Sequence, residues 1–291
     1  MAEPAIETLR VASDQRRADE WALALASAGI DSRIDPAPEG AVVVVRAADR
    51  TRATAVLAAY DAENRPTPLV VSDDLDRRIS YAAAAVAVLL CGFFAITGSL
   101  APHRSWFERG MATASRIAAG EVWRTVTALT LHADVPHIAS NALTLIIFGT
   151  ALCSILGSGT GLWVMLLSGA AGNWFTALLR GAPHSALGAS TGIFGGVGAL
   201  AAIQLVRRRR GAAIPLWRAS APIAAGLALL AVLGTAPESD VIAHLFGFAL
   251  GAGFGIVALR LQHFRQRPGV QAALCLAAAL AVVGCWLLAL R

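Results

Sequence analysis

The chain has 291 residues, 56% of them hydrophobic and 15% charged, with a mean hydropathy of +0.62 and a formal net charge of +5. Ordinary soluble domains run at about 45–50% apolar and about 25% charged, so this balance excludes a purely soluble protein. The charge is also split. Residues 1–75 hold 8 of the 24 basic side chains and 13 of the 19 acidic ones, and the basic surplus of the remainder sits between apolar runs. This predicts a small acidic soluble domain followed by a membrane domain with basic loops, and it speaks against a nucleic-acid partner, which needs a continuous basic patch.

In chain order, Ile6–Val11 reads as a strand and Asp14–Ala28 as a helix, with Asp14 as N-cap and Gly29 just past its end. Ile30–Ile34 reads as a short strand, Ala41–Arg46 (AVVVVR) as a buried one, and Asp49–Ala62 as a second helix. The order βαββα predicts a small soluble α+β domain over residues 1–66, an open sheet with helices on one face. It resembles the compact ferredoxin-like or ACT-like modules attached to bacterial membrane proteins. Residues 64–76, with two prolines and three aspartates, read as linker sequence, and the linker between the domains is set at 67–78. The first 30 residues mix charged and apolar side chains, so they do not read as a signal peptide.

From Arg78 onward, apolar runs recur at spanning length, about 20 residues each. The spans are predicted near 80–100, 138–157, 160–180, 186–206, 212–233, 238–259 and 271–290. Arg207–Arg210 follow the fourth span, and Arg260, Arg265 and Arg267 the sixth, which places both loops in the cytoplasm. Counting from these loops, the N-terminus is cytoplasmic and the C-terminus external. The four cysteines (Cys91, Cys153, Cys275 and Cys285) lie in apolar runs without CxxC spacing, so neither a disulfide framework nor a metal site is expected.

Ionisable and polar side chains inside spans are costly, and each is a functional candidate. Here they are His137 and Asn141 at the start of span two, Ser190 in span four, and Asp240 and His244 in span six. All three spans run inward from the outer face. At about 1.5 Å per residue, Ser190 and His244 both fall some 6–9 Å below the outer surface. Gly188, Gly192 and Gly196 repeat at i+4 along one of these helices, and Gly247, Gly251 and Gly255 along the other. Small residues at this spacing let two helices approach closely enough for a serine on one to meet a histidine on the other. A serine hydroxyl is a poor nucleophile until a base removes its proton, and histidine has the pKa for that role near neutrality.

The stretch Gly188-Ala189-Ser190-Thr191-Gly192-Ile193-Phe194-Gly195 resembles the GxSxxxFG nucleophile motif of the rhomboid intramembrane serine proteases. His132-x4-His137-x3-Asn141, Ala243-His244 followed by Gly247 and Gly251, and Gly120-Glu121-Val122-Trp123-Arg124 are similar to further motifs of that family, in the same order. The resemblance covers roughly residues 78–262. It implies an all-α polytopic fold, with a six-span rhomboid-like core over residues 79–262 and an extra C-terminal transmembrane helix over 263–291. It further implies a serine endopeptidase without a cofactor, acting in the cytoplasmic (inner) membrane on transmembrane protein substrates near the outer face. Ser190 would be the nucleophile and His244 its general base. His137, Asn141 and the Ser190 backbone N–H would form the oxyanion hole. Phe194 would pack on His244, Gly188, Gly247 and Gly251 would allow the close approach, and His132, Trp123 and Arg124 would organise the first loop. Thr191 and Phe246 stand where the family commonly has glycine. Asp240, four residues before His244, could orient the imidazole, but it sits at the expected water boundary.

Three rivals make different demands on the sequence. A proteolytically inactive rhomboid-like protein that binds and sorts membrane clients would lack the Ser or the His, and both are present. A metalloprotease using His132, His137 and His244 lacks HExxH, and the x4 spacing sets His132 and His137 about 140° apart on a helix. A transporter would need a midplane site in repeated halves, and no repeat is visible.

Overall fold

The structure, a computed structural model, describes residues 6–12, 15–37, 40–64, 79–101, 105–210, 217, 220, 221, 224, 226, 228 and 240–291. The chain divides into two compact units, Met1–Val71 and Ser72–Arg291.

In the first unit, β1 (Ile6–Ala12), α1 (Gln15–Ser27), β2 (Ser32–Ala37), β3 (Gly40–Arg46) and α2 (Arg50–Glu63) follow one another. The sheet order is β1-β3-β2, with β3 antiparallel to both neighbours. The β-branched run of β3 therefore lies in the middle, where both edges are paired. Its Val43 and Val45 are buried with Trp21, Leu25 and Leu57 from the two helices. The second strand begins later than expected because Ile30 belongs to the end of α1. Gly29 adopts φ +70°, and the N–H groups of Gly29 and Ile30 bond back to the carbonyls of Ala26 and Leu25. That is a Schellman motif, with Ile30 packed onto the helix it ends. Asp14, the expected cap of α1, lies outside the described residues. So does the whole of the predicted linker, 67–78.

The second unit contains α3 (Ala82–Thr97), then a folded loop made of α4 (Ser105–Gly110), β4 (Ala112–Thr113), α5 (Ala114–Ala118) and α6 (Arg124–Thr127). Next come α7 (Val135–Leu156, with a π turn at Leu145–Gly149), α8 (Ser158–Arg180), β5 (Ser185–Ala186), α9 (Ser190–Arg209), α10 (Val241–Arg260) and α11 (Pro268–Ala289). Among the described residues, α7 to α11 are five helices long and apolar enough to cross a membrane. The 16-residue helix α3 is shorter, about 24 Å at 1.5 Å per residue. The predicted span at 212–233 falls largely outside the described residues.

Helix α9 is the most enclosed of the five and packs against both α8 and α10, which also touch each other. Its contact with α10 is made through backbone. A methyl group at Gly251 would overlap the Gly195 carbonyl, and one at Gly247 the Thr191 carbonyl. Residues with any side chain would push the two helices apart.

Helix α11 is tied to α8 by the Trp163 indole, which donates to the Leu274 carbonyl at 3.0 Å, and above all by Gln271. The Gln271 amide oxygen accepts from the backbone N–H groups of Gly159 (2.9 Å) and Thr160 (3.2 Å), and its nitrogen donates to Thr160 Oγ1. These are first-turn amides of α8, which have no partner within their own helix. Replacing Gln271 with Leu leaves both buried and unsatisfied. The expected cost is about 1–3 kcal/mol for each, and it would appear as an earlier thermal unfolding transition in detergent. An unchanged transition would show that water supplies the missing bonds.

Candidate active site

The site is assembled from the N-termini of three helices and the folded loop. The loop is held by Arg124, which is buried. Its Nε donates to Glu121 Oε2 at 2.6 Å, and one terminal nitrogen donates to the Glu108 and Met111 carbonyls at 2.9 and 3.1 Å. Burial pushes the Glu121 carboxyl up, but the hydrogen bonds and charges of Arg124 and Arg116 outweigh it and hold the group below its usual range. The carboxylate thus stays ionised, which a buried guanidinium needs as its partner. Trp123 also lies in this loop, and its indole N–H is buried without a hydrogen-bond partner among the described residues.

At the start of α7, Asp134 acts as N-cap and accepts from the His137 backbone N–H at 2.7 Å, with Pro136 in the first turn. This fixes the turn that carries His137. The His137 Nδ1 lies 3.3 Å from the Ala133 N–H and accepts from it. In the neutral ring the proton is therefore on Nε2, which becomes a donor. Asn141, fully buried one turn later, donates from Nδ2 to the His137 carbonyl at 2.9 Å.

His132 stands outside α7, in the loop that precedes it. The His132 and His137 rings meet edge to face with centroids 5.2 Å apart. His132 is fully buried, and the Ala189 N–H points at its Nε2 from 3.5 Å. Burial, reinforced by neighbouring His137, pushes its pKa down to about 3. A neutral imidazole in this position joins the loop to the residue immediately before Ser190.

Ser190 opens α9. Its Oγ lies 2.8 Å from His244 Nε2, and both side chains are buried. Phe194, one turn along α9, stacks on the His244 ring with centroids 4.5 Å apart and planes 16° apart, which fixes the ring orientation. Gly188 adopts φ +116°, a conformation that disfavours any side chain. A methyl there would also sit 2.7 Å from His137 Nε2 and 3.7 Å from Ser190 Oγ. The small space beside Gly188 is thus faced by a histidine donor and a serine hydroxyl at once. Thr191 and Phe246 fit their larger side chains elsewhere. Thr191 packs towards Gly172, and Phe246 stacks on Phe175 at 5.7 Å.

Asp240 occupies a different place from one that would orient His244. It caps α10 by accepting from the Ala243 N–H at 3.1 Å, and His184 Nε2 stands 2.9 Å from its other oxygen. His184, a loop histidine, is therefore largely enclosed against Asp240, its side chain 14% exposed. The His244 Nδ1 has no hydrogen-bond partner among the described residues. Among the same residues no group of three His, Cys, Asp or Glu side chains is arranged to hold a metal ion. Asp134 and Glu121 gained no role from the sequence. The signal for Asp134 was there, an acidic residue two positions before a helix-starting proline.

Several apolar helices of spanning length, with a serine and a histidine brought together between two of them, define a multi-pass helical membrane protein with a buried polar site. Residues 119–261 match the family model described as the Rhomboid domain. The chain is 32% identical over 147 residues to the rhomboid protease GluP of Bacillus subtilis (strain 168), covering 50% of this chain and 29% of that protein. It is 31% identical over 153 residues to YdcA of the same organism, covering 52% of this chain and 73% of the relative. RHOMBOID-like protein 1 of Arabidopsis thaliana is 33% identical over 157 residues, or 50% of this chain and 38% of that one. The chain belongs to the rhomboid family. It spans well under two thirds of the length of the first and third of these relatives.

Proposed function

We propose that this protein is an intramembrane serine endopeptidase that cuts transmembrane protein substrates near the outer membrane face, with Ser190 as nucleophile and His244 as general base. The observation that carries this reading is the 2.8 Å contact between Ser190 Oγ and His244 Nε2. At that distance the imidazole can take the hydroxyl proton as Oγ attacks a carbonyl carbon, and later return it to the leaving amine. The negative charge that develops on the carbonyl oxygen would fall in the space beside Gly188. The His137 Nε2–H, the second amide hydrogen of Asn141 and the Ser190 backbone N–H are its donors. No cofactor enters the mechanism. The inactive client-binding alternative is disfavoured by a paired Ser and His that would have no task in it.

The same reading gives the core six spans, counting one at 212–233, with α11 as an additional seventh. It places the N-terminus in the cytoplasm, the C-terminus outside, and the protein in the cytoplasmic membrane. Residues 1–66 form an appended domain that carries none of the reacting groups.

The test is cleavage of a single-span membrane protein in vesicles holding the purified full chain. Cleavage near the outer end of the span, unaffected by a chelator and absent with Ser190→Ala, is the expected result. Equal cleavage by Ser190→Ala would overturn the proposal, and chelator sensitivity would revive a metal mechanism. Asp240→Asn separates a dyad from a triad. Asn caps a helix about as well as Asp, so turnover should stay close to wild type. A loss approaching the about 10⁴-fold seen when a triad carboxylate is neutralised would assign Asp240 to the chemistry.

A further inference from the structure

On the side of α9 away from α10, a cavity of about 570 Å³ lies among α3, α7, α8, α9 and α11. Its floor includes Leu129, Met165 and Ile193, all buried, and Ala189 beside Ser190 in the chain. Its mouth lies between α3 and α11, where Leu89, Val283 and Leu287 are 71%, 53% and 59% exposed. In a multi-pass membrane protein, outward-facing leucines and valines on spanning helices meet hydrocarbon, so the cavity opens on the bilayer and not on water.

Its lining decides what can fill it. Thr130 supplies a hydroxyl, but that hydroxyl already accepts from Trp286 Nε1 at 3.0 Å and donates to the Thr127 carbonyl at 2.7 Å. Water needs two to four polar partners to occupy a buried space, and this one does not offer them. A spanning helix is too large. A cylinder of roughly 10 Å diameter and about 30 Å length takes up about 2,400 Å³, several times the cavity. A single flexible hydrocarbon chain fits both the volume and the chemistry. The geometry points to a binding site for one acyl chain of a membrane lipid, inserted between α3 and α11 and reaching the back of the helix that carries Ser190.

This inference does not depend on proteolysis, and its test does not either. The full chain is placed in phosphatidylethanolamine and phosphatidylglycerol vesicles containing a phospholipid with a diazirine in mid-chain. After irradiation, the adducts are mapped by mass spectrometry. Adducts on Met165 or Ile193 are expected, alongside surface adducts on the outward-facing Leu276 and Leu280 of α11. Val283→Trp narrows the mouth from an exposed position, and Ala278→Trp, at a buried position of the lining, fills the interior. Each should lower the inner adducts by about tenfold while the surface adducts persist, which also reports correct insertion. Adducts confined to the outer surface, or inner adducts unchanged in both variants, would overturn the proposal. Displacement of the inner adducts by a stoichiometric single-span peptide would overturn it too, and would assign the cavity to a protein segment.

Discussion

Loss of the His244 imidazole is expected to slow fluorophosphonate labelling of Ser190 by about 10⁴-fold, although the serine itself remains. The probe reads phosphonylation of Oγ alone, so it isolates activation of the hydroxyl from substrate entry and product release. Ser190→Ala should label nowhere in the active site. Asn141→Ala should label at a reduced rate and turn over peptide about 10²–10³-fold more slowly if, as proposed, it removes one oxyanion donor and leaves the nucleophile in place. His244→Ala labelling at the wild-type rate would show that the 2.8 Å contact has no catalytic consequence.

The second large effect is on folding, and it separates two glycines of one helix. A Cβ at Gly251 would overlap the Gly195 carbonyl, whereas one at Gly253 meets nothing within 4 Å. Alanine is the better helix former by about 1 kcal/mol. Gly253→Ala should therefore be neutral or mildly stabilising. Gly251→Ala should destabilise by at least about 1–3 kcal/mol despite the same propensity gain, because backbone on both sides must move. Reversible unfolding in mixed micelles measures both. Equal effects would mean that α9 and α10 do not depend on direct backbone contact. If Gly251→Ala folds at all, its Ser190 labelling should also fall, since the separation of the two helices sets the distance between Oγ and Nε2.

How far the sequence revealed this molecule can be judged residue by residue. The long apolar helices were legible because composition alone marks them, and their glycine repeats pointed to the pair that approaches most closely. Ser190 and His244 stood out because chance gives polar side chains in separate spans no reason to share one depth. Elements whose form depends on partners distant in the chain were less legible. Ile30 reads as strand from its own branching, yet its N–H bonds back to the Leu25 carbonyl and helps close α1 around the left-handed Gly29. His184 reads as a surface histidine until the fold brings Asp240 against it. Asp134 was legible only as an acidic residue before a proline, and its part in fixing the turn that carries His137 shows once its carboxylate meets the His137 N–H.

Gln271 lies 112 residues after the amide at Gly159 that it satisfies. During synthesis, α8 leaves the ribosome long before its cap does, and its first turn has to stay hydrated or frayed in the interval. Only when α11 has inserted can that end of α8 close. The last helix therefore acts on assembly as a late clasp. Chains halted before residue 271 should show open, exchange-competent amides at Gly159 and Thr160 while the distant end of α8 is already protected.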